Sequence, residues 1–217
     1  MKILASLTAA DPLALGEAAR RLRQAGVDGF HVDFGDGRFV PWLGGSLELV
    51  QALANAERLP IEVHLMMEEP EAWISPLAAA GASRVLVHLE VVRYPWRLRT
   101  IAIHHGLNLG FAVNPVTPVA ALEPIAGCAD FVSLLTSEPD LASEHFLPGS
   151  TDRISLARRL LGLSLEVEVD GGLSAGSLHE TALAGADVAV VGRELTLAEN
   201  PAASLRMLST AAVGGAA

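Results

Sequence analysis

Six glycines end helix-patterned stretches and are followed within a few residues by a short, β-branched apolar run: Gly26, Gly81, Gly106, Gly127, Gly162 and Gly185. QAGVDGFHV, AAGASRVLVH, HHGLNLGFAV and LAGADVAVVG show the pattern. Glycine closes a helix in the left-handed conformation, and a buried strand then begins. Apolar runs near residues 2–6, 29–34, 61–66, 84–89, 107–113, 129–135, 164–170 and 187–191 make eight candidate strands. Helical patterns such as LALGEAARRLRQA and SLELVQALANA lie between them. Near-continuous apolar strands alternating with helices predict a parallel sheet covered on both faces. The chain is therefore expected to be α/β, a single (β/α)8 TIM barrel over residues 1–211, with a small-residue tail over 212–217 that frays. A doubly wound open sheet is the competing arrangement, but no glycine-rich dinucleotide fingerprint follows the first strand.

A length of 217 residues suits one such domain. The hydrophobic fraction of 51% is high, yet no run of about 18 apolar residues occurs, so no transmembrane helix is expected. The opening MKILASL carries one basic residue and no long apolar region, which argues against a signal peptide and for a cytoplasmic location. The single cysteine, Cys128, cannot form an internal disulfide and reads as a small buried hydrophobe. A net charge of −10 argues against nucleic acid or anionic membrane as the main partner. Lys2 is the only lysine and opens the first strand, which sets Schiff-base chemistry aside. Barrels of this type often pair through helix faces or loops, so a homo-oligomer is expected.

Polar residues that interrupt the apolar strands carry the chemistry. His31 and Asp33 in HVDFGD are two apart and share one face of strand two. His64 in EVHLM shares a face with Glu62 and Met66, and Asp170 ends strand seven before Gly171 and Gly172. Active sites of such barrels lie at the carboxyl ends of the strands. With these faces turned inward, His31, Asp33, His64 and Asp170 converge near the mouth. They suit one divalent metal ion per chain, zinc, iron or manganese rather than calcium. Two of the four are carboxylates, which move protons as well as hold a cation. A buried histidine bonded to a neighbour is the competing reading for any one of them.

HVDFGDGRFVPW, EVHLM, VNPVTP and EVDGG, in this order and spacing, resemble the ribulose-phosphate 3-epimerase family. The likeness runs from Ser6 in ASLTAAD to Gly192 in VVGRE. It implies that His31, Asp33, His64 and Asp170 bind one divalent metal and that Asp33 and Asp170 are the acid/base pair. It also implies conversion of D-ribulose 5-phosphate to D-xylulose 5-phosphate, in which a proton leaves one face of a carbon and another arrives on the opposite face. Carboxylates on strands two and seven, across the barrel, suit two-base transfer through a planar enediolate. A metal on the carbonyl and hydroxyl oxygens then acts as a Lewis acid. Ser6 reads as a bond to an outer hydroxyl, as a brace for Asp33, or as barrel filler. Met66 matches a family methionine lining the site, although methionine on a strand is also ordinary core. His88 in VLVHLE matches a family histidine outside the metal's inner shell and is assigned to the pocket lining or to support of the ligands. Asn114 either braces the pocket or forms a turn with Pro115. His104, His105, His145 and His179 fall on helix-like or loop segments and read as solvated.

The phosphate grip departs from the family. Its glycine-rich loop after strand six, of the form Asn-Pro-Gly-Phe-Gly-Gly-Gln, is EPDLASE here, residues 138–144, with no glycine and three carboxylates. Lost glycines remove the backbone freedom that lets amides approach an anion, and carboxylates repel one. After strand eight the family's Gly-Ser is Gly192-Arg193, and arginine is a bidentate phosphate binder. Gly171 and Gly172 remain as the strand-seven contribution. Two family methionines are replaced by Gly35 and Leu135, and the smaller residue at 35 is expected to open the pocket beside the metal. The leading reading is a metal-dependent epimerase of ribulose 5-phosphate or a related ketose, its partner a small sugar or sugar phosphate. A second is an epimerase or isomerase of an unphosphorylated or differently charged sugar. A third, of another class, is a metal- or sugar-binding barrel without turnover, which has no need of an opposed acid and base. A decarboxylase of the related phosphate-binding barrels is disfavoured, because its catalytic lysine has no counterpart in HVDFGD.

Overall fold

The computed structural model describes residues 1–140 and 145–214. Its strands are β1 (Lys2–Ser6), β2 (Gly29–Asp36), β3 (Leu43–Gly44), β4 (Ile61–Met66), β5 (Arg84–His88), β6 (Asn108–Val113), β7 (Phe131–Leu135), β8 (Glu166–Asp170) and β9 (Val188–Val191). All but β3 are parallel and bonded to their neighbours in the order β1-β2-β4-β5-β6-β7-β8-β9, and β9 pairs back onto β1. The barrel is closed, as the apolar repeat predicts. β3 is a two-residue antiparallel partner for the end of β2 and lies outside the eight expected strands.

The helices α1 (Leu15–Ala25), α2 (Leu47–Glu57), α3 (Ile74–Ala80), α4 (Pro95–His104), α5 (Ser150–Leu161), α6 (Ala175–Leu183), α7 (Arg193–Thr196) and α8 (Pro201–Ala212) surround it. Between β6 and β7 the chain forms a 3-10 segment, Val119–Cys128, with Pro124 inside it. Proline removes a donor that a continuous α ladder needs. Five of the six helix-ending glycines take left-handed φ values between 72° and 106°. Gly127 does not, because it lies within the 3-10 segment rather than after an α-helix. Of the expected tail, Ala212 ends α8 and residues 215–217 lie outside the described residues. Among the described residues no helix is long and apolar enough to cross a membrane.

Alternation along the strands sorts the core. Phe30, Val32, Val63, Val85, Phe111 and Val167 face outward and pack with the helices in one large cluster. Inward positions form two smaller apolar groups, Leu4–Val188–Val190 and Leu86–Ala112–Phe131–Leu135. Polar side chains fill the space between these groups. At the amino-terminal end of β5, Arg84 donates to Glu62 at 2.6 Å, to Glu166 at 2.6 Å and to Glu168 at 3.3 Å. Its guanidinium carbon lies 3.7 Å from the centre of the Phe131 ring, a cation–π contact. Gly110 makes room for that ring, since a Cβ there would come within 2.3 Å of it. Lys2 pairs with Glu166 at 2.9 Å at the same end, away from the barrel mouth.

Candidate active site

Register brings the polar residues together. Across β2 and β4, His31 lies opposite Glu62 and Asp33 opposite His64, while Leu135 on β7 lies opposite Asp170 on β8. Ligand atoms from His31, Asp33, His64 and Asp170 all fall within 4.8 Å of one another. His31 Nε2 is 3.0 Å from Asp33 Oδ1 and 3.6 Å from Asp170 Oδ2. His64 Nδ1 is 3.4 Å and 3.6 Å from the same two oxygens. A tetrahedral centre with bonds of about 2.1 Å has ligand–ligand edges of about 3.4 Å, so the donor spacing fits one divalent cation. His64 Nδ1 is also buried without a hydrogen bond. A lone pair left so is costly unless something binds it.

The remaining imidazole nitrogens are tied behind the site. A carboxylate only accepts, so His31 Nδ1 donates to Glu62 Oε1 at 2.9 Å, which leaves Nε2 facing Asp33 and Asp170. His88, fully buried, donates from Nδ1 to Glu90 Oε2 at 3.3 Å. Its Nε2, 3.0 Å from His64 Nε2, then accepts, and His64 keeps Nδ1 for the metal position. The two rings thus present different nitrogens to one point.

Titration behaviour follows this wiring. Burial pushes His88 down to about 4, and it stays neutral. Burial works against a charged His31, but the facing Asp33 and Asp170 outweigh it and hold the metal-free imidazole well above its usual range. Burial alone would raise Asp33, yet His31 and His64 hold it well below the usual carboxylate range. Burial likewise opposes ionised Glu62, which His31 and Arg84 bring down to about 2. Glu168, fully buried, is raised well above its usual range by burial and by the charge of Glu62.

Two cavities meet at the carboxylates. A small one of about 90 Å³ is lined by Asp33, Trp42, His64, Met66, Leu135 and Asp170. A larger cleft of about 660 Å³ runs past Ser6, Thr8, Asp33, Asp170, Gly172 and Arg193. Ser6 Oγ donates to Asp33 Oδ2 at 3.3 Å, the contact that the brace reading calls for. Thr8, which sequence patterning passed over, donates to the same oxygen. Met66 lines the small cavity, and Gly171, Gly172, Gly192 and Arg193 line the cleft. His88 reaches His64 rather than the open pocket. The Asn114 carbonyl accepts from Thr117 N at 3.0 Å, so this residue makes a turn and its amide does not line either cavity. His104, His105 and His145 are exposed, whereas His179 is half-buried. Cys128 is buried and donates to the Ile125 carbonyl, as expected of a small core residue.

One expectation about the outer site changes, and another falls largely outside the described residues. Gly35 does not open the pocket, because the Trp42 indole occupies the room, with ring atoms 2.5 Å from where a Cβ would stand. Of the EPDLASE stretch, residues 141–144 lie outside the described residues, while Glu138 and Pro139 line the small cavity. Glu62, Arg84 and Glu168 had a usable signal, since EVHLM, RVLVH and EVEVD each place an acidic or basic residue two positions from an inward group.

A family model described as the ribulose-phosphate 3 epimerase family matches residues 2–196. A ribulose-phosphate 3-epimerase from Aquifex aeolicus is 32% identical over 214 residues, covering 97% of this chain and 96% of that protein. One from Bacillus subtilis is 32% identical over 196 residues, covering 88% and 90% respectively. The crystal structure of orotidine 5'-phosphate decarboxylase from Pyrococcus horikoshii OT3 superposes with a TM-score of 0.72 at 17% identity, covering 98% of this chain and 99% of that one. The last is a likeness of fold alone.

Proposed function

The chain belongs to the ribulose-phosphate 3-epimerase family, and from that premise we propose that it interconverts D-ribulose 5-phosphate and D-xylulose 5-phosphate. The supporting observation is the pair Asp33 and Asp170, on β2 and β8, both turned onto the same two imidazole nitrogens. Inversion beside a ketone requires one group to take a proton and another to deliver one on the far face. Asp33, held ionised by His31, enters as the carboxylate and removes the proton. For balance Asp170 enters protonated and delivers a proton to the opposite face of the planar enediolate. The roles exchange in the reverse direction. Ser6 and Thr8 hold Asp33 Oδ2 from behind, which limits rotation of the carboxylate during transfer. His31, Asp33, His64 and Asp170 would hold one divalent ion, zinc, iron or manganese, which supplies Lewis-acid stabilisation of negative charge on the substrate oxygens. Gly171, Gly172, Gly192 and Arg193 in the larger cleft are assigned to the distal end of the sugar phosphate.

The test is exchange of the substrate C–H with deuterated water. Wild-type protein should exchange the proton of ribulose 5-phosphate and form xylulose 5-phosphate, and Asp170→Asn should lose at least about 10²-fold of the rate of xylulose 5-phosphate formation while still binding metal. No exchange with any ketose by metal-loaded protein would overturn the proposal and leave a binding barrel. A second reading, an unphosphorylated or differently charged substrate, is favoured by Glu138 beside the pocket. Faster turnover of ribulose than of ribulose 5-phosphate would select it.

A further inference from the structure

We propose that Trp42 is a specificity-determining wall of this site, closing the pocket that takes the short arm of the ketose. This inference rests on the epimerase reading above. Gly35 and Gly44 are direct partners in the antiparallel pairing of β2 with β3. The indole lies over both: a Cβ on Gly35 would come within 2.5 Å of its ring, and one on Gly44 within 2.9 Å. Two facing glycines therefore form a seat that only an absent side chain allows. Indole Nε1 donates to the Pro139 carbonyl at 3.0 Å, which fixes the ring and ties the β2–β3 hairpin to the segment after β7.

The fixed ring bounds the cavity of about 90 Å³, whose other walls include Asp33, His64, Met66 and Asp170. The cleft of about 660 Å³ reaches the same two carboxylates from the other side. A reacting carbon placed between Asp33 and Asp170 thus has a small space on one side and a long one on the other. About C3 of a 2-ketose 5-phosphate the arms match this, a two-carbon hydroxyacetyl unit on one side and the chain that carries the phosphate on the other. The phosphate-bearing arm needs the cleft, so the hydroxyacetyl arm points its C1 hydroxymethyl end toward Trp42. A rigid indole cannot retreat from added bulk, and one methylene in such a pocket is worth about 10- to 200-fold in specificity.

The experiment compares kcat/KM for ribulose 5-phosphate and for a homologue with one extra carbon on the C1 arm. Wild type should discriminate against the homologue by at least about 10-fold, and Trp42→Ala should shrink that ratio by about 10-fold. Gly35→Ala, which forces the ring off its seat, should lower kcat/KM for the parent ketose. An unchanged ratio in Trp42→Ala overturns the wall. Should that variant fail to fold, Trp42→Leu carries the same comparison. If wild type turns over neither ketose, the epimerase reading fails instead. The wall is then judged by calorimetry on metal-loaded protein, where equal affinity for the two ketoses in wild type and variant overturns it.

Discussion

Asp33 divides its two oxygens between two tasks. Oδ1 faces His31 and His64, at 3.0 and 3.4 Å, and Oδ2 receives the hydroxyls of Ser6 and Thr8. Glu90 works similarly behind His88, accepting from the ring and, through its other oxygen, from Asn114 N at 2.8 Å and from Thr117. Burial alone would raise Glu90, but His88, Thr117 and Asn114 bring its carboxyl from 4.5 down to about 2. A depressed folded-state pKa contributes stability above the unfolded value, and that contribution is lost as pH falls through the folded one. Glu90→Gln should therefore be less stable than wild type at pH 7, with the gap closing between pH 4.5 and about 2. The side chain is partly exposed, so solvent screening keeps the difference to about 1–2 kcal/mol. Urea unfolding of both proteins across pH 7 to 3 reads it. A gap that stayed constant over this range would show that the carboxylate charge plays no part.

At the scale of elements, the barrel strands were legible to within a residue or two because parallel strands buried on both faces are written in apolar runs. β3 was not, since two residues with Leu43 exposed carry no period. The four candidate ligands stood out as polar interruptions of apolar strands. Thr8 sits beyond a strand end and Trp42 in a hairpin, where local pattern predicts no partner, and their contacts with Asp33, Gly35 and Pro139 exist only in three dimensions. Arg84 opens β5 and turns inward onto Glu62 and Phe131. That link from β5 through Glu62 to His31 fixes which imidazole nitrogen faces Asp33 and Asp170. Glu62→Gln removes the charge that holds Arg84 and weakens the acceptor on His31 Nδ1. Metal affinity should fall by about 10- to 100-fold, measured by competition against a chelator of known affinity. Affinity equal to wild type in a folded variant would show that Glu62 neutralises Arg84 and nothing more.

Across the whole molecule, the candidate ligands join β2, β4 and β8, strands from both halves of the chain. An ion bound there by the native state alone links those strands and stabilises the fold by mass action. At a free metal concentration of 100 times Kd this amounts to about 2.7 kcal/mol. For a domain of this size, about 2–4 °C per kcal/mol converts that to a rise in Tm of roughly 5–10 °C. The metal-free barrel keeps its own cross-strand pairs, with His31 on Asp33 and Glu62 and with Arg84 on Glu62, Glu166 and Glu168. Chelated protein should accordingly remain folded and cooperative while melting lower, and added divalent metal should restore the difference. Asp170→Asn, with an amide in place of one candidate carboxyl ligand, should show a smaller metal-dependent rise than wild type in the same calorimetric scans. A melting temperature indifferent to both chelator and added metal would mean that the four side chains are satisfied by one another and hold no ion.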